Sequence, residues 1–461
     1  MKLQGLNLAS HDVFGDIEIP LARKTKEKGN FKTVVIGPNG TGKSNLLRCI
    51  ADALTIEFSE DKTKSKKDID YEYEMNLYSD NNVISINSDS KQVSLPIAKL
   101  LAVTSTPQDR FPFVSKKGVR KSEEYVYLGL KTASNNIFFS NLREELLLHL
   151  FTIYKDKTKT LSAANVLQTL NFSENFKAIL TKGRAFSDFK TLLFGDESSR
   201  EASDKFETIF DNTFYSKSKD IISRVVRELE NNKNNYPIDV KLEDRTQFSL
   251  KVTFLDVIEK LLNLNILSVS ELALFSSNGH DMNQASSGEY NILKIFLSII
   301  ANIENNSVIL IDEPEISLHP NWQMDFISIL DLALSKYTNC HSIIATHSHF
   351  LISNVNAEES MILNMSPSSH SRKVQIEELE IDPFGWSPEN ILYRVFGVTA
   401  LRNKYFELDL RIIIDYVASP KDDHADFIDA IRRVRRFNIG DKDPLFPIIS
   451  KANKLYEELE D

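Results

Sequence analysis

Apolar and polar residues alternate through the first 36 positions (Leu3, Leu6, Val13, Ile17, Ile19), and the alternation ends in the continuous run TVVI at 33–36. A period of two followed by an unbroken β-branched run predicts an antiparallel ribbon that feeds a buried strand. The period then shifts to that of a helix in NLLRCIADALTIEF. Ser59 to Lys67 is polar and lysine-rich, as a surface loop should be. Tyr71–Ser79 and Val83–Asn87 alternate around Asp80–Asn82, which reads as a hairpin, and LLAVTS at 100–105 reads as a short apolar strand. From about 136 to 235 the pattern is mostly helical (NLREELLLHLFTIY, AANVLQTL, DIISRVVRELE), with polar breaks at Gly195–Ser203 and Asn231–Tyr236. Strand-like alternation returns in VKLEDRTQFSLKVTF and SVSELALFSS, and two strong apolar strands follow, SVILI at 307–311 and SIIAT at 342–346. The last hundred residues read as helices: ENILYRVFGV, DLRIIIDYV, ADFIDAIRRVRRF and ISKANKLYEELE. There is no internal repeat and no long low-complexity tract.

These elements predict an α/β protein in four stretches: 1–135, a mostly helical insertion at 136–280, a second α/β part at 281–360 and a helical region at 361–461. Composition narrows the class. Of 461 residues 42% are apolar and 26% charged, which suits a globular chain and rules out a fibrous or wholly disordered one. A net charge of −10 argues against a protein that coats nucleic acid over its whole surface, while leaving room for a local basic groove. The two cysteines, Cys49 and Cys340, are too few for a disulfide framework or a cysteine-based zinc site. No apolar run reaches the roughly 20 residues of a membrane span, and MKLQGLNLAS lacks a signal peptide's apolar core, so a cytosolic location without membrane contact is expected.

Candidate chemistry begins at GPNGTGKS, 37–44, which fits G-x-x-x-x-G-K-[ST] between a strand and a helix. Glycines there allow the tight turn in which the backbone N–H groups of Asn39, Gly40, Thr41 and Gly42 face phosphate oxygens, and the helix N-terminus adds its positive end. Lys43 is placed to reach the β- and γ-phosphates and Ser44 to ligand Mg²⁺. SVILIDEPE puts Asp312 and Glu313 at the end of an apolar strand, the edge of a parallel sheet where ligands bind. Asp312 is the candidate Mg²⁺ holder and Glu313 the candidate base for an attacking water. QASSGEYNILKIFLSII at 284–300 starts with Ser286, Ser287 and Gly288 and then becomes an apolar helix, with Gly288 24 residues before Asp312. Taken alone that is an ordinary helix start.

In this order and spacing the segment is similar to the LSGGQ signature of ABC-type ATPases, written LSSGE in the SMC-like branch, with Ala285 in place of the usual leucine. STPQDRF at 105–111 resembles the Q-loop, which makes Gln108 a candidate sensor of Mg²⁺ and water; IIATHSHF at 343–350 resembles the switch loop, which makes His347 a γ-phosphate or water partner. His319 and His349 read as structural. The resemblance covers about 1–111 and 281–355. It implies an SMC-like ABC-type head in which Ser286, Ser287 and Gly288 dock on the nucleotide of a neighbouring copy, so that two heads sandwich ATP. DEPEISLHP resembles the SMC-like and stand-alone bacterial ATPases rather than the transporters, and the insertion is too short for the coiled coil of an SMC protein.

STPQDRFPF, YVYLGLK, DEPEISLHP and ENILYRVFGV together resemble the ATPases of bacterial antiphage loci, in particular the PtuA family of the Septu systems. That resemblance implies a separate HNH-type nuclease partner, PtuB, and assemblies larger than a dimer. No H-N-H or zinc-ligand cluster occurs, and the residues after His347 read as helices without a strand-borne glutamate followed by a D-x-D pair, so nuclease activity is not expected within this chain. Two other readings stay open: a DNA-maintenance ATPase related to SMC-like repair proteins, and a scaffold in which ATP acts as structural glue. Lys62, Lys64, Lys66 and Lys67, and Lys116, Lys117, Arg120 and Lys121, form loop clusters that would edge a DNA surface. Arg432, Arg433, Arg435 and Arg436 crowd one helix. They read as a solvated face with Asp429 placed to pair with Arg432 or Arg433, or else as a contact for phosphate or an acidic partner. Ser387 and Pro388 read as a helix start, and the helices beyond it as a partner-docking module. Phe14 and Phe31, ahead of the phosphate loop, read as core.

Overall fold

The N-terminal alternation becomes an antiparallel pair, β1 (Lys2–His11) and β2 (Gly15–Pro20), which leads into β3 (Phe31–Ile36), buried at every position. In the computed structural model the described residues are 1–23, 29–59, 69–79, 82–89, 93–106, 109–112, 122–130, 139–194, 210, 212–232, 234–244, 246, 248–276, 287–367, 373–396, 404–420, 424–437 and 445–460. They fall into two compact units, Met1–Trp386 and Ser387–Asp461.

In the first unit α1 (Lys43–Phe58) follows β3, and then come β4 (Glu72–Ser79), β5 (Asn82–Asn87), β6 (Leu100–Thr104) and β7 (Tyr125–Leu128). The inserted stretch holds α2 (Phe139–Lys155), α3 (Lys157–Thr169), β8 (Phe172–Lys182), α4 (Phe186–Phe194), α5 (Asn212–Asn231), β9 (Tyr236–Lys241), α6 (Phe248–Asn263) and β10 (Leu267–Ser276). Next are α7 (Ser287–Asn302), β11 (Val308–Asp312), α8 (Pro320–Leu334), β12 (His341–Ala345), α9 (His349–Ile352), β13 (Ser360–Pro367) and β14 (Val374–Leu379). A seven-stranded sheet in the order β14-β13-β3-β12-β11-β6-β7 is parallel throughout except for β14. A four-stranded antiparallel sheet, β2-β1-β4-β5, shares one apolar core with α1 and a face of the large sheet. The α/β architecture is the one expected. Phe14 and Phe31 lie in that core, and both cysteines are free and buried.

Three stretches differ from the reading of the sequence. β8 lies within a segment read as helical, and with β9 and β10 it makes a three-stranded antiparallel sheet. FSLKVTF, read as a strand, opens α6, because its alternation continues into Leu255, Ile258 and Leu262, buried at helical spacing. β13 and β14 occupy 360–379, read as helical, and lengthen the large sheet past β3. Long-range pairing selects the strand there, which a local period does not report.

A polar chain runs through the core. The Leu3 N–H donates to His341 Nδ1 at 3.0 Å, His341 Nε2 lies 2.9 Å from Thr33 Oγ1, and the Thr33 hydroxyl donates to the Leu21 carbonyl. With Nδ1 accepting, the proton sits on Nε2, so a neutral imidazole satisfies groups on β1, β3 and β12 at once. Burial holds that imidazole's pKa far down, at about 3. On the other side of the sheet α7 is buried along most of its length, and Phe296 packs on Phe326 of α8 with ring centroids 5.1 Å apart. Truncating Phe296 to alanine would cost about 3–5 kcal/mol.

The second unit consists of α10 (Pro388–Arg394), α11 (Lys404–Ala418), α12 (Ala425–Val434) and α13 (Phe446–Glu460), and α11–α13 close on an apolar cluster containing Phe406, Ile413, Phe427, Ile431 and Tyr456. Ser387 caps α10 through the Asn390 N–H, with Pro388 in the first turn. Arg433 does not take Asp429 as its ion-pair partner: it makes a forked pair with Asp409 of α11, where the carboxylate meets the fork geometry of the guanidinium. Arg432 donates to the Tyr456 hydroxyl, and Arg435 pairs with Glu457 while lying over the Tyr456 ring. The arginines thus mainly tie α12 to its neighbours. Among the described residues no helix is long and apolar enough to cross a membrane.

Candidate functional site

The loop 37–44 leaves the C-terminal end of β3 and enters α1, and two backbone demands fix its glycines. At Gly37 (φ +147°) a Cβ would stand 2.1 Å from the Met365 carbonyl oxygen of neighbouring β13. Gly42 caps α1 in the left-handed region at φ +90°, which glycine adopts without a side-chain clash. The loop therefore passes close over β13, and the N-terminus of α1 borders a cleft of about 630 Å³. Asn39, Gly40, Gly42, Lys43, Ser44, Asn45, Arg110, Glu313, Glu315, Ile316 and His347 line that cleft.

Strand order gathers the opposite wall. β11, which ends in Asp312, pairs with β12 and not with β3; β12 lies between them and delivers His347. The Ser44 hydroxyl donates to Asp312 Oδ1 at 3.0 Å. The His347 ring stands between Lys43 and Glu313, with Nδ1 3.4 Å from Lys43 Nζ and Nε2 3.5 Å from Glu313 Oε1. An ammonium has only protons to offer, so Nδ1 accepts and Nε2 carries the proton towards Glu313. Glu313 has φ +48°, a costly backbone state for a non-glycine residue, held by its N–H donating to the Ala345 carbonyl at 2.9 Å. Beyond it, Glu315 Oε1 accepts the His347 backbone N–H at 2.6 Å.

Electrostatics follow from this burial. Lys43 spends its ammonium on the carbonyls of Gly37 and Pro38, at 2.9 and 3.1 Å, and desolvation pulls its pKa down to about 8 despite the nearby Glu313, Glu315 and Asp312. Asp312 is pushed up to about 7, first by burial; the Ser44 hydrogen bond opposes the shift, and the carboxylates of Glu313, Asp109 and Glu315 add to it. Burial, then Lys43, lowers His347 to about 4, so its imidazole is neutral at pH 7. A partly desolvated lysine whose ammonium is held by two carbonyls, near three crowded carboxylates, suits a phosphate together with a cation. Ser44 and Asp312 offer a hydroxyl and a carboxylate, hard oxygen donors of the kind Mg²⁺ takes when phosphate and water complete its shell. No cluster of three or more His, Cys, Asp or Glu residues that would hold a metal unaided occurs among the described residues.

The structure therefore brings together Lys43, Ser44, Asp312, Glu313, His347 and the loop residues. Gln108 and Ser286 lie outside the described residues, as do the basic clusters at Lys62, Lys64, Lys66 and Lys67 and at Lys116, Lys117, Arg120 and Lys121. Ser287 begins α7 and Gly288 follows it, but neither lines the cleft. Gly288 has a packing reason to be glycine: a Cβ would stand 2.3 Å from the carbonyl oxygen of Ser317, in the loop after β11. Asn291, one turn along α7, donates to the Ile316 carbonyl and accepts from the Ser105 hydroxyl, tying that loop to the end of β6. His319 caps α8 by accepting from the Asn321 N–H, a structural role. Arg110, Asn45 and Glu315 also line the cleft and were missed. Glu315 stands two residues beyond Glu313, on the same loop, which was its one available signal.

Residues 32–353 match the family described as "AAA domain, putative AbiEii toxin, Type IV TA system". The chain belongs to this family. Among curated proteins, it is 22% identical to "Retron Vc95 probable ATPase" of Vibrio cholerae serotype O1 biovar El Tor, over 79% of this chain and 74% of that protein. To "Retron Ec83 probable ATPase" of Escherichia coli it is 24% identical, over 68% of this chain and 64% of that relative's length. Among solved structures, an SMC head domain from Thermotoga maritima aligns at 12% identity and a TM-score of 0.33, covering 83% of this chain and 100% of that one. An ATP-binding cassette of an ABC transporter in its ADP conformation aligns at 13% identity and a TM-score of 0.31, covering 86% and 96%.

Proposed function

We propose that this member of an AAA ATPase family binds and hydrolyses Mg²⁺–ATP as the nucleotide-driven subunit of an antiphage complex. The observation that carries the proposal is the meeting of Lys43, Ser44, Glu313 and His347, from three strand ends, in one cleft beside the N-terminus of α1, with the buried Asp312 hydrogen-bonded to Ser44 at its wall. The loop N–H groups and Lys43 take the β- and γ-phosphates, an anion exchanged for the loop carbonyls that now hold the ammonium. Ser44 and Asp312 would hold Mg²⁺, with Gln108 as a third candidate from the Q-loop, and the bound ion would supply charge neutralisation at the phosphates. Glu313 accepts a proton from the water that attacks the γ-phosphorus, while the bond to the ADP oxygen breaks. The neutral His347 orients that water or the γ-phosphate through its Nε2–H.

In this reading Ser286, Ser287 and Gly288 close on the nucleotide of a second copy, and ATP is sandwiched between paired heads. That Ser287 and Gly288 do not line their own chain's cleft accords with such a composite site. The relatives named as retron ATPases support a place among defence loci, and the resemblance to the PtuA family supports a separate HNH-type nuclease partner.

The test is gentle purification of the tagged chain from its native operon, followed by native mass measurement and identification of co-eluting subunits. A small HNH-type nuclease with several ATPase copies is the expected result. A bare monomer that only dimerises with ATP would leave the ATPase and remove the nuclease-partner assignment.

A further inference from the structure

We infer that Glu315 is a positioning residue for the ATPase reaction, whose carboxylate pins the turn at 346–348 so that the His347 ring stays between Lys43 and Glu313. The inference rests on the ATPase reading above. Its basis is the arrangement of three short loops. The Glu315 Oε1 oxygen accepts the His347 N–H at 2.6 Å. Thr346 Oγ1 in turn accepts the Ser348 N–H at 2.9 Å, the Ser348 hydroxyl caps α9 at Leu351 and donates to Gln323 Oε1 at 2.6 Å. The Thr346 N–H donates to the Val35 carbonyl at the end of β3. Among the described residues the turn is thus held on one side by β3 and α8, and on the side of the cleft its backbone is held by the Glu315 carboxylate.

That carboxylate belongs to the loop that also carries Glu313. A shift of the 313–318 loop therefore moves the backbone of His347 together with the base its ring faces. Glu315 Oε2 is buried with no donor among the described residues. Such an orphan is costly, which accords with a group kept for the geometry it imposes. Gly288 and Asn291 of α7 abut the same loop at Ser317 and Ile316. The helix proposed to meet a neighbouring nucleotide and the histidine of its own cleft are thereby joined through one loop.

Two conservative variants separate a geometric role from a direct electrostatic one. Glu315→Gln keeps the side-chain length and the accepting oxygen but loses the charge; Glu315→Asp keeps the charge but withdraws the oxygen by one methylene. Positioning predicts that Glu315→Gln retains most of kcat, whereas Glu315→Asp loses about 10²-fold with KM little changed, the scale of a roughly 1 Å misplacement. Equal losses in the two variants, a larger loss in Glu315→Gln, or no loss in Glu315→Asp would overturn the inference. A wild-type chain that turns over no ATP would count against the ATPase reading alone. The clamp is then decided by a crystal structure of Glu315→Asp, which is expected to show His347 displaced from Glu313; an unmoved ring would overturn the inference.

Discussion

The Ser44 hydroxyl donates to Asp312 Oδ1 across 268 positions of sequence, and it is the one direct hydrogen bond between the phosphate loop and the carboxylates of β11 among the described residues. The two oxygens are the pair a magnesium ion would find already side by side. Asp312→Asn and Ser44→Ala are each expected to weaken Mg²⁺-dependent nucleotide binding by about 10- to 100-fold, the usual cost of disturbing a metal site's oxygen set. Binding in EDTA should barely change. Titration calorimetry with and without Mg²⁺ checks this, and equal losses in both conditions would take the pair out of metal binding.

Glu313 and His347 face one another at 3.5 Å, with the glutamate in a left-handed backbone state. Removing its basicity while keeping its shape should slow chemistry and spare binding. Glu313→Gln is expected to lose about 10²- to 10⁴-fold in turnover and to retain ATP, the range of a missing general base. Bound nucleotide recovered after rapid desalting checks it; a variant that hydrolyses at the wild-type rate sinks the base assignment.

The buried His341 predicts a pH dependence of stability. Its pKa lies near 3 in the folded chain and near 6.5 when unfolded, so the unfolded state binds the extra proton between those values. Its contribution is complete above about pH 6.5 and is lost as pH falls towards 3, at up to about 1.4 kcal/mol per pH unit. His149, lowered to about 4, works in the same direction, and Asp312, raised to about 7, in the opposite one. The comparison is therefore made within one pair of proteins. The fall in urea midpoint between pH 7 and pH 5 should be smaller in His341→Gln than in the wild type, and equal falls would contradict the neutral core imidazole.

Gly288 abuts the Ser317 carbonyl too closely to admit a Cβ. Gly288→Ala should push the 313–318 loop away from α7, at about 1–3 kcal/mol of overpacking, and lower turnover while leaving nucleotide affinity nearly intact. A thermal melt and a binding titration on the same sample check both halves. An unchanged melting temperature would show that the contact gives way freely.

The phosphate loop was legible in the sequence because its chemistry is local: glycines, a lysine and a hydroxyl lie in eight consecutive residues between a strand and a helix. Asp312 and Glu313 were legible because a buried strand announces its own end. β13 was not, since its partner β3 lies more than three hundred residues earlier, and β14 pairs in turn on β13. Nor could a period show that β12 stands between β3 and β11, the arrangement that places the His347 ring between Lys43 and Glu313. The acid that pairs with Arg433 was hidden for the same reason. Helical spacing pointed to Asp429, whereas the fold supplies Asp409 from another helix.

The hydrolytic reading stands or falls on steady-state phosphate release from purified wild-type chain with Mg²⁺–ATP, run beside Lys43→Ala. The cleft predicts sustained release that saturates with ATP and disappears in Lys43→Ala. Negligible release by a folded, ATP-binding wild type would contradict hydrolysis and favour ATP as a structural ligand, and release that survives Lys43→Ala would place the activity outside this cleft.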